Sequence, residues 1–303
     1  MVLPSWNRSP RLTGIALMAA TSLCFACLDS CAKWLGHSLP TPQVVWARYM
    51  ANFLLVLPLV NPWRTPGLLR PKRPVMQVTR GALILASTIL NFIALHYLQL
   101  AQTISIMFST PFLVALIARP LLGERVGMAR ALAIAAGFLG VLVVTQPGLA
   151  GFHPAMLLSV AGAFIYAAGN VMARILVRDE DPNITFFYVG AVGTAVMTPL
   201  MPLQWVWPEG ALPWLLMLGM GASGAIGHWC LILAHKYAPA TILAPFIYTQ
   251  LIWMTLSGWA FFGDIPSGAT LLGAAIVIAS GFFLIWRERV EARQAAFRGK
   301  SHD

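Results

Sequence analysis

Charge is what this sequence lacks. Asp, Glu, Lys and Arg make up 10% of its 303 residues, while apolar and aromatic residues make up 58% and mean hydropathy is +0.75. A soluble domain runs nearer a quarter charged, because its core needs a polar shell. There is too little polar material here to make one, which leaves a polytopic membrane protein. Acid is scarcer than base, giving a net charge of +10. The basic residues fall in short clusters between apolar runs, not on one continuous face, so they do not imply nucleic acid. Cysteine is also scarce: Cys24, Cys27, Cys31 and Cys230. Three of them recur inside one apolar run with no fourth ligand nearby, which suits packing better than a disulfide framework or a metal site. Catalytic motifs are missing. There is no HExxH, no convincing Ser-His-Asp set, and no loop long enough to hold a catalytic domain. The stretch "LGMGASGAIGHWC" (218–230) is not a phosphate loop, since it lacks a Lys-Ser/Thr ending and a strand–helix context. Its Gly219, Gly221, Gly224 and Gly227 suit close helix approach, or a surface on which helices slide. No enzyme and no cofactor are expected. Without an ATP-binding motif, any transport must draw on a gradient or on exchange.

Long apolar runs are what the sequence has. They fall near 12–35, 41–60, 76–97, 101–121, 127–146, 153–177, 183–203, 212–235, 239–262 and 266–286. Runs of roughly 17–25 residues read as spans. The expected fold class is therefore all-α integral membrane, with ten transmembrane helices. The first run, behind Arg8 and Arg11, imitates a signal peptide. It is long, carries Asp29 and Lys33, and precedes more spans, so it is expected to be a retained helix. With both termini placed in the cytoplasm, every basic residue except Lys33 and Arg48 falls at the inner side; Arg80 is counted with the loop before span 3. A basic tail, 287–303, follows the last span, and 1–11 precedes the first.

The chain repeats itself. A shift of about 140 residues lays "FACLDSCAKWL" (25–35) on "YAAGNVMARIL" (166–176), so Asp29 meets Asn170 and Lys33 meets Arg174. It also lays "LLGERVG" (121–127) on "FFGDIPS" (261–267), matching Gly123-Glu124 to Gly263-Asp264. Each repeat, 12–146 and 153–286, holds five spans. Five is odd, so the second copy enters the membrane from the opposite side. Inverted repeats recur in secondary transporters, with the site at the repeat interface.

These features resemble the drug/metabolite transporter superfamily, EamA type. The most specific pieces are "STPFLVALIARPLLGERVG" (109–127) and "PFIYTQLIWMTLSGWAFFGD" (245–264), with Asp264 standing where Glu is commoner. The resemblance implies alternating-access movement of a small organic solute through a central cavity in an inner membrane. "PTPQVVWARYM" (40–50), with "LDSCAK" before it, looks most like members described as riboflavin or S-adenosylmethionine importers. Other members export amino acids, and metabolite export is the alternative. The expected partners are the solute and the lipid bilayer. A homodimer is compatible with this reading.

The candidate site starts with Asp29 and Lys33. Four residues apart on a helix, they share a face with Ser22 and Ala26 and are placed to pair. Arg48, about seven residues into span 2, falls at similar depth. Charges within spans are expensive and face a cavity or a partner. Two readings stay open: a closed ion-pair cluster tying spans 1 and 2, or a substrate and gating site. Asn91, Gln102, Tyr166, Asn170, His228, Tyr248, Gln250 and Trp253 add amides, hydroxyls and rings that would suit a planar heteroaromatic solute. Pro111 and Pro245 lie at corresponding places in the two halves and are expected hinges. His228 or Asp29 could carry a coupling proton. Trp63, Trp205 and Trp207 sit at span ends, as interface anchors do.

Overall fold

The computed structural model describes residues 10–58, 60, 65, 67–122, 128–149, 151–238 and 240–299. In order these form α1 (Pro10–Gly36), α2 (Thr41–Val56), α3 (Pro74–Tyr97), α4 (Leu100–Met107), α5 (Thr110–Leu122), α6 (Met128–Thr145), α7 (Ala155–Leu176), α8 (Pro182–Met197), a 3-10 turn (Thr198–Leu200), α9 (Met201–Gln204), α10 (Ala211–Tyr237), α11 (Ala240–Ile247), α12 (Thr249–Phe262) and α13 (Gly268–Gly299). No strand occurs among the described residues. Proline marks several starts, at α2, α3 and α8, where a missing N–H costs nothing. At α8 the Asp181 carboxylate also accepts the Asn183 amide at 2.8 Å.

Six stretches are long and apolar enough to cross a membrane: Arg11–Gly36, Pro74–Tyr97, Leu100–Ile117, Ala155–Leu176, Pro182–Gln204 and Ala211–Tyr237. Shorter apolar helices, Ala131–Thr145 and Gly268–Leu284, accompany them. Fewer qualify than the ten apolar runs suggest. For two of the runs the reason is length: α2 has 16 residues and α12 has 14, and at 1.5 Å per residue neither alone reaches across about 30 Å of hydrocarbon.

The helices pack in crossed sets. α1 lies along α10, α3 along α7 and α6 along α13; α2 meets α8 and α10, α3 meets α8, α1 meets α12, and α5 meets α7. Missing side chains allow the closest of these approaches. A Cβ on Gly221 of α10 would lie 2.2 Å from that of Ala51, and one on Gly227 would lie 2.9 Å from the Phe25 ring. One on Gly273 of α13 would lie 2.6 Å from the Gly140 carbonyl of α6. Gly219 faces open space, so the stripe is a packing edge on one side only. Large apolar side chains such as Leu132, Phe138, Leu139, Leu215, Leu272 and Phe283 stay exposed on the outside. Lipid, not water, is the solvent that makes such a surface stable.

Polar ties close the two ends of the bundle. At one, Lys33 of α1 meets Asp264 beyond α12, and Gln43 of α2 exchanges two hydrogen bonds, 2.8 and 2.9 Å, with the backbone of Val206. Trp46, Trp205, Trp207 and Trp214 cluster there, with Trp207 exposed, as an aromatic belt requires. Trp63 lies outside the described residues. At the other end the buried Glu180 accepts from the Arg73 amide at 2.7 Å and from Gln77 Nε2 at 2.6 Å.

Candidate functional site

Lys33 and Asp29 do not pair. The Lys33 ammonium donates to Asp264 Oδ2 at 2.6 Å and to the Leu98 carbonyl at 2.9 Å, and lies 4.9 Å from the Phe262 ring centroid. Its side chain is 8% exposed and that of Asp264 23%. The local sequence aims this contact. α12 ends at Gly263 with φ +67, a left-handed turn that returns the Asp264 amide to the Gly258 carbonyl at 3.0 Å. The Gly-Asp pair is thus a helix stop followed by a carboxylate delivered to α1. Its counterpart, Gly123-Glu124, lies outside the described residues.

Freed of Lys33, Asp29 belongs to a different group. Asn91 Nδ2 makes a long contact, 3.5 Å, to Asp29 Oδ1, and Asp29 lies within electrostatic reach of Arg48. Arg48 Nη1 donates to Thr88 Oγ1 at 3.0 Å and lies over the Tyr49 and Phe92 rings, at 5.5 and 5.4 Å. Thr88 donates its only proton to the Ile84 carbonyl, so the Tyr49 hydroxyl, 2.9 Å away, must donate to Thr88. Tyr166 of α7 and Arg80 of α3 lie within electrostatic reach of Tyr49 and of each other. His228 of α10 is within reach of both arginines. Its Nδ1 lies 2.8 Å from the Gly224 carbonyl, so that nitrogen carries the proton and Nε2 remains available. Phe25 and Phe186 hold the imidazole, with ring centroids 5.0 and 5.3 Å away. Asp29, Arg48, Asn91, Tyr166 and His228 are each only part-buried although they stand mid-helix, as side chains lining an interior space do.

The other expected residues separate from this group. Gln102 is a helix cap: its Oε1 accepts the Gln99 amide at 3.1 Å at the start of α4, so a solute role is displaced by a structural one. Asn170 stands part-exposed on α7. Tyr248, Gln250 and Trp253 belong to a helix break. Phe108 and Ser109 interrupt α4 and α5, and Tyr248 interrupts α11 and α12. Pro111 enters the first turn of α5, where Thr110 Oγ1 takes the Met107 carbonyl that proline cannot. Pro245 lies inside α11, and at the break Thr249 Oγ1 donates to the Phe246 carbonyl. The rings of Phe108 and Tyr248 meet edge to face at 4.9 Å. Gln250 is buried beside them in sequence, and the buried Trp253 Nε1 has no partner.

Arg80 is the residue that sequence reasoning assigned elsewhere. It sits about two turns into α3, part-buried in the bundle, rather than in the preceding loop. One concavity is no guide to the site. It is an apolar groove of about 370 Å³ between α6 and α13, lined by residues such as Leu132, Ile276 and Phe283, and it contains none of the charged groups. The charge and hydrogen-bonding capacity lie instead between α1, α2, α3, α7 and α10.

An apolar helical bundle with a charged, aromatic interior defines a membrane transport protein. The EamA-like transporter family model matches residues 12–146 and again 153–286, so the chain belongs to that family. A riboflavin transporter of Vibrio cholerae is 29% identical over 286 residues, covering 93% of this chain and 96% of its own. An S-adenosylmethionine uptake transporter of Rickettsia felis is 26% identical, covering 92% and 94%. A protein known from a crystal structure shares the fold, with a TM-score of 0.59 at 20% identity over 93% of this chain and 97% of that one.

Proposed function

We propose that this chain is a secondary carrier that moves a small organic metabolite by alternating access, with riboflavin or S-adenosylmethionine uptake as the leading assignments. The observation that carries the reading is that relatives named for those two solutes align over nearly the whole chain. The ten spans would be α1, α2, α3, α4–α5, α6, α7, α8–α9, α10, α11–α12 and α13, arranged as two inverted five-helix repeats. The packing supports this, because exchanging the halves maps α1–α10 onto α3–α7 and α1–α12 onto α5–α7. The paired breaks at Phe108 and Tyr248, 140 positions apart in number, support it too. In this reading the end holding Lys33 faces outward and the end holding Glu180 faces the cytoplasm, in keeping with Arg73, Arg174, Arg178 and Lys236 near the latter. The solute site is Asp29, Arg48, Asn91, Tyr166 and His228, with Tyr248, Gln250 and Trp253 at the helix break.

Counterflow in proteoliposomes tests this. Vesicles loaded with unlabelled riboflavin should accumulate labelled riboflavin transiently, and those loaded with S-adenosylmethionine should do so with its own label if that is the solute. Absence of counterflow with both solutes would overturn the substrate assignment. Linear equilibration without overshoot would overturn the carrier mechanism.

A further inference from the structure

Two arginines inside the bundle have no carboxylate partner. Arg48 donates to a threonine hydroxyl and Arg80 Nη1 to the Thr185 carbonyl at 3.2 Å. Neither forms an ion pair among the described residues, where Lys33 pairs with Asp264 and Arg73 with Asp179. Arg80 Nε is buried with no partner at all. The acids that could neutralise them are engaged or too few. Glu180 spends Oε1 on the Arg73 amide and Oε2 on Gln77. Asp264 is held by Lys33. Among the described residues Asp29 remains, within electrostatic reach of Arg48, and Arg80 has no carboxylate close enough to pair with.

An unpaired guanidinium in a low-dielectric interior is costly, and an anion that enters recovers the loss. The planar fork of Arg suits a carboxylate or phosphate that offers two oxygens side by side. Neutral groups complete the lining: the Tyr166 hydroxyl can donate to an anion, while His228 Nε2 and the Asn91 Oδ1, buried without a partner, accept from hydroxyls or amides elsewhere on the solute. The two arginines sit on different helices, α2 and α3; Arg48 shares Thr88 with the Tyr49 hydroxyl, and both arginines lie within electrostatic reach of Tyr49 and His228.

We propose that Arg48 and Arg80 form the binding site for an anionic group on the transported solute, so that among solutes sharing one ring system the carrier prefers the anion to the neutral compound and the neutral compound to the cation. This rests on the proposed carrier site and names its charge class; of the two leading solutes it disfavours the sulfonium and favours the flavin. Arg80 is then a specificity-determining residue that the sequence had counted with the basic loop.

The test is competition binding to the full chain in detergent, with matched solutes: riboflavin against its 5′-phosphate, and adenosine 5′-phosphate against adenosine against S-adenosylmethionine. The anion of each set should bind about tenfold more tightly than its neutral partner, the scale of one partly screened charge contact. Arg80→Gln should reduce that ratio to near one, Arg80→Lys should keep most of it, and the exposed Arg178→Gln should leave it unchanged. Equal binding across each set, tightest binding of the cation, no binding of any member, or an unchanged ratio in Arg80→Gln would each overturn the proposal. An anionic head group of the bilayer offers the same chemistry, so the series is repeated with excess phosphatidylglycerol in the micelle. Retention of the order supports a solute site; its loss assigns the arginines to lipid and overturns the proposal. The charge order is independent of the counterflow result: carriage of neither vitamin nor sulfonium would remove the substrate assignment and leave the order to stand or fall by itself.

Discussion

At Lys33 the ammonium finds an acid, a backbone carbonyl and a ring, and the acid is 231 residues away. Removing one member of such a pair strands the other. Asp264→Asn should lower unfolding stability by about 2 kcal/mol, less than a fully buried pair would lose, because Asp264 is partly exposed. The double variant Lys33→Met with Asp264→Leu should recover most of that loss. Unfolding in graded denaturing detergent, followed by tryptophan emission, checks both; additive losses would refute the pairing. At the proposed solute site, Arg48→Ala and Gln250→Ala should each abolish uptake while membrane levels hold, as measured by labelled-solute uptake beside immunoblotting. Normal uptake in both would refute the site. The sequence made Asp29, Lys33 and Arg48 visible, because a charge in an apolar run must meet a partner or a cavity. It could not pair them. The nearest acid to Lys33 in sequence is Asp29, while the nearest in space comes from the far end of the chain. Arg80 was hidden by the same logic, since a base near a span's end reads as a topology signal until burial is known. Gln102 misled because a capping amide and a solute-binding amide look alike in a string of letters.

Among the elements, the breaks were the legible part. Pro111 and Pro245 announced them, and the interruptions fall within three residues of each. Their terminal carbonyls are met by Thr110 and Thr249, both at 2.6 Å. Replacing either threonine by alanine should cost about 1 kcal/mol, the usual worth of one such hydrogen bond, and hydrogen exchange should quicken at the breaks before it does elsewhere. Uniform protection in the variants would refute that role. The glycine stripe makes a sharper comparison within one helix. Gly221→Leu would drive a side chain into Ala51 and should cost about 1–3 kcal/mol or prevent folding, whereas Gly219→Leu should be nearly neutral. Melting temperatures of the two purified variants decide it, and equal loss would refute the packing. No pattern of letters told these glycines apart, because the difference is which side of α10 has a neighbour.

For the whole molecule, hydropathy gave a helical membrane protein, and the internal likeness of the halves anticipated where the family model would match. What it left out was length. Apolar runs do not reveal that α2 is 16 residues or that two other runs are broken into separate helices, since hydropathy averages over a break. The proposed orientation predicts that reporter tags at both termini read cytoplasmic. Added lysines in the α7 to α8 connection should strengthen that reading, while added lysines in the α1 to α2 connection should weaken it. Opposite readings at the two termini would refute an even number of crossings.

Phe108 and Tyr248 each stand where a helix is cut, and each is the other's neighbour. A lever pivots about a fixed point, but here the fixed point of one lever is the fixed point of the other. Under the proposed rocking, tilting α5 about Phe108 would press on the ring about which α12 tilts. The two breaks would then share a fulcrum, and a substitution that freed one from it would alter the swing of both.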